Sequence, residues 1–176
     1  SRQPLPNTEI FAAHLLDQSR KLILGIPGIT ILLLDDYQLR MKLTSQLAAE
    51  FGQRVCHETT SPEENGVVSA GWYWWLHHHH QLPLPEQLII ALLPLPSLES
   101  PFIAARVEAL KREGRDWFRD YLLPEALSII PDSVAPVRNN HGRLAILDGR
   151  LRARSWGKEF LTSLEPWRPL QRLVPN

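Results

Sequence analysis

The sequence predicts an α/β fold with a central, largely parallel β-sheet. Apolar runs of strand length alternate with segments of helical periodicity, and strands that alternate with helices pair in parallel through right-handed crossovers. The apolar runs contain few polar residues, which is typical of strands covered by helices on both faces. The chain has 176 residues, enough for one domain with a sizeable core. We therefore expect residues 1–176 to form a single domain.

The first predicted helix follows a proline-rich start. Phe11, Leu15 and Ile23 recur at helical spacing, and Asn7 or Thr8 is the expected N-cap because short polar side chains accept hydrogen bonds from the first free N–H groups. Two glycines and a proline between residues 25 and 28 end this helix.

The next two elements form a strand and a helix. Residues 29–34 are a continuous apolar run and predict a strand buried on both faces. Residues 37–51 are amphipathic and predict a helix that Gly52 closes. Further strands are predicted at residues 54–58, 66–69, 88–93 and 144–148. Further helices are predicted at residues 102–114, 117–127 and 156–164.

Composition narrows the class of protein. Nineteen basic and nineteen acidic residues cancel, so no net field draws the chain to nucleic acid or membrane. Residues 138–172 nevertheless contain eight Arg or Lys against three Asp or Glu, which indicates either a solvated face or a phosphate-facing surface. The single cysteine, Cys56, excludes a disulfide framework in this chain. No signal-type segment or membrane-length apolar run occurs, so we expect a cytoplasmic protein with no membrane partner.

Motifs for autonomous nucleotide chemistry are absent from the sequence. It contains no GxxxxGK[ST] loop and no GxGxxG loop, whose backbone N–H groups would hold phosphates. It also lacks the GxSxG turn of serine hydrolases. We therefore do not expect this chain to hydrolyse a nucleotide unaided.

Three local clusters have a functional and a structural interpretation. The four histidines 77–80 are adjacent and cannot converge on one ion, which favours surface histidines and no metal site. The tryptophans of segment 72–75 could stack on bases, or belong to the core or an interface. Asp35 and Asp36 follow the first strand and could hold a metal, but a helix N-terminus that attracts acidic side chains is the preferred interpretation.

An ordered set of residues between 88 and 164 carries a family resemblance. The set includes Leu93-Pro94-Leu95-Pro96-Ser97, Pro101, Ala104-Ala105-Arg106, Glu108-Ala109-Leu110-Lys111, Gly114, Phe118, Tyr121-Leu122-Leu123-Pro124-Glu125-Ala126, Gly142, Ile146-Leu147-Asp148, Arg150-Leu151, Ser155-Trp156-Gly157 and Phe160-Leu161. It resembles the C-terminal motor domain of superfamily 2 DNA helicases of the XPD/DinG type.

The resemblance implies a fold, partners and cofactors. The fold would be the second of two RecA-like three-layer domains. An upstream RecA-like ATPase domain would be its partner, and single-stranded DNA would be a further partner. ATP and Mg²⁺ would be held mainly by that upstream domain in the complete protein, with no cofactor held by the isolated chain. Nucleic-acid contacts would fall on Ser69, Trp75 and Arg143.

The motifs of that family are eroded in this chain. The fifth motif has Trp-Glu-Gly followed by Asp, of which only Trp75 remains. The sixth, Gln-x-x-Gly-Arg-x-x-Arg, corresponds to residues 131–138, where the first arginine finger falls on Ala135 or Pro136 and the second is Arg138. The resemblance thus makes Arg138 the candidate catalytic and nucleotide-binding residue. Asp35 and Asp36 replace a hydroxyl pair that resembles a DNA-phosphate contact.

These observations leave three functional interpretations. The preferred one is a DinG-like helicase motor domain that is not catalytic alone and has degenerate ATPase motifs. The alternative is a pseudo-helicase domain that binds protein or nucleic acid without ATPase activity. The third is a structural domain that packs against its neighbour and binds nothing itself.

Overall fold

The computed structural model describes residues 3–170, and its centre is a five-stranded sheet. The strands are β1 (Thr30–Leu33), β2 (Val55–His57), β3 (Val67–Ala70), β4 (Gln87–Ile90) and β5 (Arg143–Ile146). Their order in the sheet is β2-β3-β1-β4-β5, and every neighbouring pair is parallel. The predicted α/β fold with a parallel sheet is confirmed.

Helices cover both faces of this sheet. They are α1 (Phe11–Gly25), α2 (Tyr37–Phe51), α3 (Trp72–His78), α4 (Pro101–Arg112), α5 (Leu123–Ser128), α6 (Ile130–Asn139), α7 (Arg150–Ala153) and α8 (Gly157–Ser163). Short 3₁₀ turns follow α2 and α3, and a π-helical turn at Phe118–Leu122 leads into α5. Among the described residues, no helix combines the length and the apolarity needed to cross a membrane.

Alternate side chains of each strand enter two separate cores. In β1, Ile31 and Leu33 pack with α3, α5, α6 and α8, whereas Leu32 packs with α1 and α2 on the other face. Successive side chains of a strand point to opposite faces, so a strand with helices on both sides must be apolar at every position. This explains the unbroken apolar runs, and it gives the molecule three layers.

The sequence misplaced the start of α1 and missed α6. Ile10 occupies the N-cap of α1 with no side-chain hydrogen bond, and the Thr8 hydroxyl donates instead to the Leu5 carbonyl in a preceding turn, so the predicted Asn7 or Thr8 cap is wrong. In α6, Pro136 lies inside the helix and removes one backbone donor. Burial of Val134 and Val137 against the sheet outweighs that loss.

The chain topology opens a crevice between β1 and β3. These strands are neighbours, but β1 leads into α2 on one face of the sheet and β3 leads into α3 on the other. Their connections therefore diverge at the carboxyl ends of the strands. Such a switch point is where open α/β sheets place their ligands.

Candidate functional site

Two aspartates at the end of β1 cap two helices across the switch-point crevice. Asp36 is the N-cap of α2, and its Oδ1 accepts a hydrogen bond from the Leu39 amide at 3.0 Å. Asp35 Oδ1 accepts from the amide of Trp72, the first residue of α3, also at 3.0 Å. The helix N-terminus interpretation is confirmed for Asp36. For Asp35 the helix is α3, which the sequence did not indicate.

Arg40 is a member of this site that the sequence analysis missed. Its side chain is buried, its Nη1 donates to the Leu34 carbonyl at 2.8 Å, and its Nε donates to Nε2 of His57 at 3.1 Å. The guanidinium also lies over the Tyr37 ring, 5.4 Å from the centroid. Arg40 thus joins the carboxyl ends of β1 and β2. The sequence signal for a buried Arg40 was its position one turn before Leu43, on the apolar face of α2.

Glu58 and Gly71 complete the contacts across the crevice. Glu58 Oε1 accepts from the Gly71 amide at 3.2 Å and lies 3.9 Å from Nη2 of Arg40. A Cβ on Gly71 would come within 3.3 Å of both Arg40 Nη1 and Asp35 Oδ1. The crevice is therefore filled by its own side chains.

The crevice has an acidic character. Desolvation raises the pKa of the Asp35 carboxyl, which is turned towards the Trp72 amide, and the hydrogen bond from that amide and the charge of Arg40 partly offset the rise. Desolvation also raises the pKa of the Tyr73 hydroxyl, and the negative charges of Glu125 and Asp35 add to it. The carboxylates of Asp35, Asp36 and Glu58 would repel a phosphate group at this position.

ATP and Mg²⁺ do not fit the residues of this edge. The connection from β1 to α2 contains no glycine, and its first helical turn is already capped by the Asp36 carboxylate. A phosphate-binding turn needs free N–H groups and no competing anion. In residues 3–170 no group of three or more His, Cys, Asp or Glu side chains is placed to hold a metal ion.

Trp75 and Ser69 lie inside the protein. Trp75 is fully buried, and its Nε1 donates to the Ser133 carbonyl at 2.8 Å. The Ser69 hydroxyl is hydrogen-bonded to that of Thr44 at 2.7 Å and is 1% exposed. Of the two interpretations of the tryptophans, the core is the one that Trp75 supports, and its buried ring under α6 is not available to the nucleic acid that the resemblance implied for it.

Arg143 lies at the opposite edge of the sheet, where β5 begins. Its Nε and Nη2 donate to Gln87 Oε1 at 2.9 and 2.6 Å, and Nη2 also reaches the Leu22 carbonyl at 3.2 Å. The residue is 8% exposed, and desolvation lowers its pKa. Arg143 joins β5, β4 and the end of α1, so its side chain is engaged inside the protein and not available for the nucleic-acid contact that the resemblance implied.

Arg138 occupies the last turn of α6 and is exposed. Its Nη2 donates to the Leu164 carbonyl at the end of α8. Of the two positions at which the resemblance would put the first arginine finger, Ala135 is half-buried and Pro136 is buried. The structure therefore does not gather Arg138, Arg143 and the crevice into one site.

Three of the four histidines have separate partners. His77 Nδ1 and His78 Nδ1 are hydrogen-bonded to the carbonyls one turn earlier, at 2.6 and 2.8 Å. The His78 ring stacks on Trp74, and His79 Nε2 lies 3.5 Å from Oδ1 of Asp132 on α6. These rings do not converge on a common point.

The sheet, its two helical layers and the switch point together define the fold class. A parallel five-stranded sheet between two helical layers, with a switch point between β1 and β3, is an α/β fold of the RecA-like three-layer type.

Similarity to known proteins adds a functional link. The chain is 35% identical over 82 residues to the ATP-dependent DNA helicase YoaA of Escherichia coli (strain K12), and the match covers 45% of this chain and 13% of that helicase. It is 34% identical over 80 residues to the YoaA helicase of Haemophilus influenzae, covering 44% of this chain and 12% of that protein. No protein-family model matches the chain. The chain thus contains a helicase-related region, and the match spans about an eighth of the length of these curated relatives.

Proposed function

We propose that residues 1–176 are the second RecA-like domain of a DinG-like DNA helicase, with degenerate ATPase motifs. The partial similarity to two DNA helicases and the three-layer parallel fold support this proposal. The degenerate part rests on the resemblance, which puts the first finger position on Ala135 or Pro136, and both residues lie in α6. Neither side chain can donate a hydrogen bond to a phosphate oxygen.

In this proposal, ATP and Mg²⁺ bind mainly to an upstream RecA-like domain. The carboxylates of Asp35 and Asp36 stand at the β1 exit of this domain and already cap α2 and α3. Arg138 is the remaining candidate for a contact with the nucleotide of that partner. Only its Nη2 takes part in a hydrogen bond within the described residues, which leaves the Nε and Nη1 donors for another ligand.

A second candidate function is a binding module without ATPase activity. It is favoured by the crevice, where Asp35, Arg40 and Glu58 bind to the protein's own backbone. Side chains with such structural roles would be preserved in a domain that keeps its fold but performs no catalysis. Under this alternative the domain contacts protein or nucleic acid through its outer surface.

The 176-residue chain by itself is expected to show no ATP hydrolysis above the buffer level, with or without single-stranded DNA. The reason is that it lacks a phosphate-binding loop and has lost the first finger. Steady-state phosphate release measures this directly. Turnover in the wild-type chain that disappears on Arg138→Ala would contradict the proposal, because it would show an active site within this domain.

A further inference from the structure

The surface of α7 and α8 carries a concentration of positive charge that the crevice lacks. Between residues 150 and 170 the chain has five Arg or Lys and two Asp or Glu. Asp148, just before this stretch, is fully buried and bound by Arg150 at 2.6 Å, and Glu159 is paired with Arg119 at 2.7 Å. The charges of Asp148 and Glu159 are therefore already balanced by arginines. Glu165 is the remaining acid of the stretch, and it is exposed.

Three cations at the start of this surface have no partner within residues 3–170. Arg152, Arg154 and Lys158 are exposed, and their side chains make no hydrogen bond or ion pair there. They follow the carboxyl end of β5, which is an edge strand of the sheet. Long cationic side chains in this position stay hydrated and available to an anionic ligand.

The other end of α8 presents an exposed aromatic ring that an arginine follows in the chain. Trp167 is 48% exposed, and its Nε1 donates to the Leu161 carbonyl at 2.8 Å, which fixes the indole against the helix. Arg168 follows it in the chain and is exposed. The seven residues of α8 span about 10 Å, so one short segment of a polymer can reach both ends.

We propose that this surface, the basic track of Arg152, Arg154, Lys158, Trp167 and Arg168, binds single-stranded nucleic acid. The cations would contact backbone phosphates, and the Trp167 ring would stack on a base. An aromatic ring fixed by a hydrogen bond, together with unpaired cations, favours nucleic acid as the ligand. An acidic protein segment would pair with the cations but has no bases to stack on the ring. The choice of nucleic acid as the ligand rests on the proposed function. The exposed cations and Trp167 place the contact on α7 and α8, away from the acidic crevice.

Binding of fluorescent oligo-dT to the 176-residue chain, followed by anisotropy at several salt concentrations, tests the basic track. Replacing Arg152, Arg154 and Lys158 together by Gln should reduce the log–log salt slope by about 2, since each single-strand phosphate contact contributes about 0.7. The affinity at low salt should fall at least about tenfold. Trp167→Ala should weaken binding about tenfold with the slope unchanged, because stacking releases no counterions.

The matched control removes three charges from the opposite face of the sheet. Arg20, Lys21 and Lys42 lie on α1 and α2, and their joint replacement by Gln should leave the affinity and the salt slope as in the wild type. Equal losses in the two triple variants, or no oligo-dT binding by the folded wild-type chain at low salt, would overturn the proposal. A polyglutamate peptide that binds as tightly as oligo-dT and ignores Trp167→Ala would overturn it in favour of an acidic protein partner. The assay contains no ATP, so failure of the proposed motor function would leave its result unchanged.

Discussion

In a protein that joins this chain to the proposed upstream ATPase domain, Arg138→Ala is expected to lower DNA-stimulated ATP hydrolysis about 10³-fold or more. In the proposed function Arg138 is the surviving arginine of the sixth motif, and a finger stabilises the charge that spreads over the γ-phosphate oxygens in the transition state. Its exposed position at the end of α6, with donors left over, is compatible with this role. Phosphate release at saturating DNA measures the effect.

A conservative substitution separates this catalytic role from a structural one. Arg138→Lys keeps the charge but loses the planar fork that can bridge two oxygens, so it should impair turnover substantially, though less than Arg138→Ala. Arg112→Ala, which removes an exposed arginine from the end of α4, should leave the rate unchanged. If the wild type and Arg138→Ala hydrolyse ATP at equal rates, Arg138 serves only to bind the Leu164 carbonyl. The domain is then a passive partner.

Trp75→Ala is expected to destabilise the fold by about 3–5 kcal/mol, because it removes a fully buried indole from the core between the sheet and α6. The substitution also leaves the Ser133 carbonyl without its donor. Urea unfolding followed by circular dichroism gives the free energy of unfolding for each variant. Trp75→Phe should cost less, since it retains an aromatic ring and loses the N–H group.

The control for Trp75 is two residues away on the same helix. Tyr73 is 56% exposed, so Tyr73→Ala should change the free energy of unfolding by well under the Trp75→Ala value. A similar small effect for both substitutions would show that Trp75 is not in the core in solution. Base stacking, the other interpretation of the tryptophans in segment 72–75, would then be favoured for Trp75.

The strands, the layering and one complete helix followed from the sequence because their signals are local. The apolar run 29–34 predicted a strand with both faces covered, and β1 is buried at each of its four residues. The predicted helix 37–51 matches α2 at both ends. Gly52 closes it with a positive φ of 73° and an N–H donated to the Ala48 carbonyl, a conformation that glycine adopts without steric cost.

Only the tertiary structure decided which polar and aromatic side chains are available to a ligand. Sequence spacing cannot show that Trp75 meets Ser133, 58 positions later, or that Arg143 reaches the Leu22 carbonyl, 121 positions earlier. Both contacts depend on how helices pack on the two faces of the sheet, and they enclose residues that looked suited to nucleic acid. The same packing leaves Trp167 exposed at the end of α8. The sequence by itself thus determined the sheet and its helical layers, while burial across distant segments decided where a ligand can bind.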